Sequence, residues 1–255
     1  MVQLKTDTSI EEMREAGRVV AQALTAVRER AAVGVSLLDL DKAARRVLKE
    51  AGAGSPFLNY RPSFATTPFP AVICASVNDA IVHGIPDEYR LRDGDLVSID
   101  CGATLGGWVG DSAISFTVGT PRPEDARLIA TAEEALEAGI AAAVVGNRIG
   151  DIAHAVGRVC RGAGYGIPEG FGGHGVGRSM HEDPSVPNEG RPGRGVPLRH
   201  GMVLAIEPML IGSGRDDYYE ASDGWTLRTS DGSRAAHAEH TVAITDAGPR
   251  ILTRL

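Results

Sequence analysis

Cysteine is scarce. Cys74, Cys101 and Cys160 are the only three in 255 residues, an odd number with no Cys-x-x-Cys pair. They do not build a disulfide scaffold, and a reducing compartment suits them better than an oxidising one. Clustered cations are missing too. There are 26 Lys and Arg against 33 Asp and Glu, the formal charge is −7, and no Lys/Arg run exceeds two residues. That balance argues against a nucleic-acid surface. No apolar run approaches a membrane span, and the first dozen residues lack the apolar centre of a secretion signal. A cytoplasmic protein with neither nucleic acid nor membrane as partner is expected. Hydrophobic residues at 43% and charged ones at 23% describe an ordinary globular chain, long enough for one large domain or two small ones.

One stretch carries two acids where acids are unwelcome. Asp95 to Val118 consists of two β-branched, apolar runs around Leu105-Gly106-Gly107, the pattern of a β-hairpin. A turn centred on Leu105 and Gly106 sets Asp100 directly opposite Asp111. Two carboxylates about 4 Å apart repel by about 4 kcal/mol at an effective dielectric near 20. A divalent cation between them reverses that sign. The structural alternative is a pair of solvated aspartates at a turn rim.

Elsewhere the chain alternates helices and strands. Ser9 and Glu12 form a capping-box pattern, followed by Ile10, Met13, Val20, Leu24 and Val27 at helical spacing to about residue 32. A second helix is predicted over 36–50. Residues 55–70 hold four prolines and four aromatics and read as an ordered loop. Strands follow at 71–77 and in the hairpin. Helices then recur at 124–145 and 149–162, with strands at 202–210, 226–229 and 240–245. Val33-Gly34-x-x-Leu37-x-Asp39 is echoed by Val145-Gly146-x-x-Ile149-x-Asp151. The repeated order implies one α+β domain of two similar halves, about 1–120 and 121–255, with a ligand site between them.

The second half supplies more metal-type ligands. His174 stands among glycines, Glu207 lies inside Ala205-Ile206-Glu207-Pro208-Met209, and Glu239 begins a β-branched run. Each alone reads more readily as an exposed or capping residue. Jointly with Asp100 and Asp111 they offer four carboxylates and one imidazole, a set suited to Mn²⁺, Fe²⁺, Co²⁺ or Zn²⁺. Two divalent ions neutralise four carboxylates, whereas one leaves an excess of −2. A pair of ions that acidifies water and polarises a carbonyl performs hydrolysis. His83 and His181 lie in turn-rich segments where either can hydrogen-bond a substrate amide or an oxyanion, or be an ordinary loop histidine. On the strand, His240 points away from Glu239. His154, His200 and His237 have no evident role.

With these residues in place the chain resembles the type I methionine aminopeptidases, whose pita-bread fold also serves prolidases and creatinases. The likeness rests on Ser76-Val-Asn-Asp-Ala-Ile-Val-His83-Gly-Ile-Pro-Asp87, Ser98-Ile-Asp100, Gly107-Trp-Val-Gly-Asp111, Gly173-His174-Gly-Val-Gly-Arg178, His181-Glu-Asp-Pro-Ser-Val-Pro187, Ile206-Glu207-Pro-Met209 and Glu239-His-Thr241. It implies that Asp100 and Asp111 share one metal, while Asp111, His174, Glu207 and Glu239 hold the other. It further implies that His83 and His181 contact substrate and that Glu207 moves protons. Phe69, Cys74, Met180 and Trp225 fall where the family lines its methionine pocket, and an apolar slot with a thioether suits such a side chain.

The implied reaction is removal of the initiator methionine from nascent chains when the second residue is small, near the ribosome, by a monomer. Gly173, where many members carry cysteine, and the stretch 63–68 depart from the family pattern and are expected to alter pocket shape. Two readings compete: a proline-directed peptidase of the same fold, which usually carries a large extra N-terminal domain, and a non-catalytic binding homologue, which tends to lose ligands.

Overall fold

Apolar residues at helical spacing produce the first two elements. In the computed structural model, which describes residues 2–62 and 65–255, α1 (Asp7–Arg30) buries Ile10, Met13, Val20, Leu24 and Val27. Its cap is Thr6, whose hydroxyl accepts from the Ser9 N–H at 3.2 Å. The helix therefore starts before the expected capping box, and Ser9 already lies in its first turn. α2 (Leu37–Glu50) is capped by Ser36, which accepts from the Asp39 N–H at 3.2 Å. Of the departing stretch 63–68, Ser63 and Phe64 lie outside the described residues.

The first strands are β1 (Ile73–Val77), β2 (Ala80–Val82), β3 (Asp95–Leu105) and β4 (Trp108–Val118), with sheet order β1-β3-β4. The hairpin is present, but its register differs from the expected one. Leu105 pairs with Trp108 across a two-residue turn in which Gly106 and Gly107 have φ of +57° and +75°. Such a turn needs positive φ at both positions, which glycine adopts without strain. Asp100 therefore faces Ala113 and Asp111 faces Gly102. The two aspartates are diagonal neighbours on one face, close enough for their side chains to meet.

The second run of helices is α3 (Pro123–Ala142) and α4 (Ile149–Gly162). α3 stops three residues short of the predicted end because the chain leaves helical geometry at Ala143. Both copies of the echoed motif build the same local structure. Gly34 (φ +86°) donates to Leu91 O and Gly146 (φ +96°) to Leu198 O, at 2.7 and 3.3 Å. Leu91 and Leu198 donate back to Val35 O and Asn147 O, and a helix starts at once in each case.

The remaining strands are β5 (Gly172–Gly175), β6 (Glu182–Pro187), β7 (Val203–Ile206), β8 (Met209–Ile211), β9 (Tyr218–Glu220), β10 (Leu227–Thr229), β11 (Ala235–His237), β12 (His240–Thr245) and β13 (Gly248–Ile251). They order as β13-β12-β7-β5-β6, β2-β10-β9 and β11-β8. The strand expected over 202–210 is thus two strands, interrupted at Glu207-Pro208, where proline has no N–H for the ladder. One apolar core joins α1 and α2 to β1 and β3 through Leu24, Leu40, Ile73 and Ile99. A second joins α3 and α4 to β7 and β12 through Leu136, Ile152, Leu204 and Val242.

Candidate active site

Between the two cores, β4 meets the β11–β12 segment along a line of hydroxyls. Thr241 Oγ1 donates to Asp111 O at 2.7 Å and accepts from the Asp111 N–H at 3.0 Å. Ser112 Oγ donates to Glu239 O at 2.6 Å, and Ser115 Oγ donates to His237 O at 2.8 Å while accepting from the His237 N–H at 2.9 Å. These bonds substitute for a regular ladder and fix two distant parts of the chain against each other. Asp111 and Glu239 meet because of this seam.

The ligating atoms of Asp111, His174 and Glu239 lie within 4.8 Å of one another, as do those of Glu207, His237 and Glu239. Asp100 belongs to neither group but lines the same cavity. Asp111, His174 and Glu239 are buried, at 4, 8 and 2% exposure. His174 Nδ1 lies 2.9 Å from Gly175 O, which can only accept, so Nδ1 carries the proton and Nε2 presents its lone pair. That Nε2 stands 3.6 Å from Glu207 Oε1 and 3.9 Å from Asp111 Oδ2.

Burial raises the carboxyls, Asp100 to about 7 and Glu207 to about 8. Burial and neighbouring carboxylates raise Asp111 and Glu239 in the same direction. Burial lowers His83 to about 4 and His174 to about 3, so both imidazoles are neutral near pH 7. Asp100 Oδ1, Asp111 Oδ1 and Glu239 Oε1 are buried without a hydrogen-bond partner among the described residues. Oxygens with unused lone pairs, a neutral imidazole and no thiolate fit a hard or borderline divalent cation.

All eleven residues singled out in the sequence line one cavity of about 300 Å³: Asp100, Asp111, His174, Glu207 and Glu239 with His83, His181, Phe69, Cys74, Met180 and Trp225. Phe69 packs edge-on against Trp225 with ring centroids 5.2 Å apart, and Trp225 Nε1 donates to Thr67 O at 3.0 Å. His83 has φ of +61°, rare for a non-glycine residue, and its ring meets Phe171 and Trp225 edge-on. The His181 ring lies 4.2 Å from that of His174, and its Nδ1 lies 3.0 Å from the Tyr60 hydroxyl.

Several expectations need correction. Gly172 lines the cavity and Gly173 does not. A Cβ at Gly173 would meet Ala205 O, because β5 and β7 approach each other closely there. His200 does have partners, Asp7 at 3.0 Å and Asp246 at 3.3 Å. His237 lies 3.4 Å from Glu207 and is no bystander. Its position two residues before Glu239 on an alternating chain was the available signal. Phe57, Tyr60, Phe171 and Met209 also line the cavity, Phe57 and Tyr60 from the aromatic, proline-rich loop, and no local motif marks them in the sequence. His240 is turned away from the cavity, toward Thr253 and Ser112.

Known proteins share this arrangement. The model of metallopeptidase family M24 matches residues 11–246. Methionine aminopeptidase 1 of Mycobacterium tuberculosis is 54% identical over 251 residues, covering 96% of this chain and 92% of that one. The crystal structure of the Thermotoga maritima methionine aminopeptidase superposes with a TM-score of 0.95 at 39% identity, each chain fully covered. A prolidase from Pyrococcus furiosus shares the fold, with a TM-score of 0.77 at 24% identity, and 65% of its chain is covered. The α+β architecture common to all is the pita-bread fold. The chain belongs to metallopeptidase family M24 and, within it, to the methionine aminopeptidases.

Proposed function

We propose that this chain is a metal-dependent aminopeptidase that removes the initiator methionine from nascent proteins whose second residue is small. The observation that carries this reading is the meeting of four raised carboxyls and a neutral imidazole at an apolar cavity containing Phe69, Cys74, Met180 and Trp225. A methionine side chain is unbranched, apolar and polarisable, and this lining matches it. The chain's full-length likeness to methionine aminopeptidases supports the same substrate class.

In this reading Asp100, Asp111, His174, Glu207 and Glu239 hold divalent ions, two by the charge balance of four carboxylates, chosen from Co²⁺, Mn²⁺, Fe²⁺ and Zn²⁺. When bound, such ions acidify water and polarise a peptide carbonyl. Glu207 accepts the proton of the attacking water and passes it to the leaving amine. His83 and His181 hydrogen-bond the substrate backbone and the developing oxyanion. The halves 1–120 and 121–255 form one catalytic domain whose seam is the site. The enzyme acts as a monomer in the cytoplasm, near ribosomes where its substrates emerge.

The test is mass spectrometry on peptides beginning Met-Ala and Ala-Pro, after stripping the protein and reloading it with Mn²⁺ or Co²⁺. Loss of methionine from the first alone is expected. Cleavage of the second alone would make the protein a proline-directed peptidase. Cleavage of neither, despite bound ions, would favour a binding homologue.

A further inference from the structure

Glu207 stands between two imidazoles. His174 Nε2 lies 3.6 Å from its Oε1, and His237 Nε2 lies 3.4 Å from its Oε2. The two histidines are differently placed. His174 lines the cavity, whereas His237 does not touch it and stands behind Glu207. The side chain of His237 is 2% exposed, and its buried Nε2 has, among the described residues, no closer polar partner recorded than Glu207 Oε2 at 3.4 Å. Its main chain is anchored twice by Ser115, and β11 pairs it with Met209, two residues beyond Glu207. An imidazole held this firmly, with its buried Nε2 3.4 Å from a carboxylate oxygen, is poorly explained as core filling, since an apolar ring would fill the space without burying that atom.

We propose that His237 is a positioning residue: its Nε2–H donates to Glu207 Oε2 and holds the carboxylate with Oε1 turned toward His174 and the cavity. This rests on the assignment of Glu207 as ligand and proton carrier. Those two tasks need carboxylate oxygens that differ, and a donor on one of them makes the difference. His237 stays neutral throughout and transfers no proton. The sequence carries this role in the residues 237–239, where His237 and Glu239 lie on one side of the chain and meet Glu207 together.

The experiment compares His237→Leu, His237→Gln and His237→Asn with the unmodified protein. The glutamine amide nitrogen is as many bonds from Cβ as Nε2 of histidine, so it can reach Oε2, while asparagine falls one bond short. Calorimetric titration with Mn²⁺, the visible spectrum of the Co²⁺ form, and kcat and KM on the Met-Ala peptide are the readouts. The leucine and asparagine variants are expected to bind the same number of ions about 10- to 100-fold more weakly, the range for loss of an outer-sphere partner. Their kcat falls by a similar factor with KM within about twofold, the glutamine variant recovers both, and the Co²⁺ bands keep their positions. Unchanged affinity and kcat in the asparagine variant would overturn the proposal. So would loss of one bound ion with shifted Co²⁺ bands, which would make His237 a ligand. The leucine variant guards against misfolding of the polar ones. Ion titration needs no substrate, so a protein that cleaves no peptide would refute the function while the affinity contrast still judged His237.

Discussion

Asp111 satisfies three demands at once. Its backbone is bonded in both directions to Thr241, its Oδ2 faces His174, and its Oδ1 has no hydrogen-bond partner among the described residues. Replacing it with alanine keeps the backbone bonds and removes only the carboxylate. Asp111→Ala is expected to abolish peptide cleavage and reduce bound metal, with folding intact by circular dichroism; an active variant would exclude Asp111 from the site. His181 differs, since it faces the cavity beside His174 without joining either group of ligating atoms. His181→Ala is expected to lower kcat by at least about 10²-fold, the range for a proton-transfer or oxyanion partner, while metal content by atomic emission stays normal. Residue types were readable in the sequence because acids inside apolar strands are conspicuous. His237 is marked in the sequence only by its spacing from Glu239, and its role becomes visible when Glu207 arrives from another strand.

Elements follow the same division between local and distant causes. The ends of α2 and α4 were readable because Ser36, Leu37 and Ile149 sit at local punctuation. The hairpin register was not, since Gly106 and Gly107 both serve the turn and move Asp111 from opposite Asp100 to the diagonal. Nor was the constraint at Gly173, which comes from β7, some thirty residues downstream. Gly173→Ala forces the β5 and β7 backbones apart. It is expected to cost about 1–3 kcal/mol, the range for overpacking, measured by urea denaturation of the metal-free protein. A weaker grip on Mn²⁺ should accompany it, because His174 is the next residue.

Protonation of the site makes the stability of the metal-free molecule depend on pH. Asp100 and Glu207 titrate in the fold near 7 and 8, above the unfolded value near 4. Their contribution to metal-free stability is complete below about pH 4 and lost as pH rises through 7 to 8. The buried histidines act oppositely. His83 and His174 are lowered to about 4 and about 3, so their contribution is present above the unfolded value near 6.5 and fades below it. The two effects oppose each other between pH 4 and 6.5, and only the carboxyl effect remains above. The melting temperature in EDTA is therefore expected to fall between about pH 6.5 and 8. Saturating Mn²⁺ should reverse that fall by binding the ionised form; a flat EDTA profile would contradict the raised carboxyls.

The hydroxyl seam joins residues 111–115 to residues 237–241, parts of the chain made at quite different moments of synthesis. Until Glu239 and Thr241 have left the ribosome, Asp111 has neither its backbone clamp nor its neighbouring carboxylate. An unfinished chain is therefore an inert one. A peptidase whose first hundred residues already held a working centre would meet its own and its neighbours' half-made products. Here the hazard is deferred until residues 237–241 join residues 111–115.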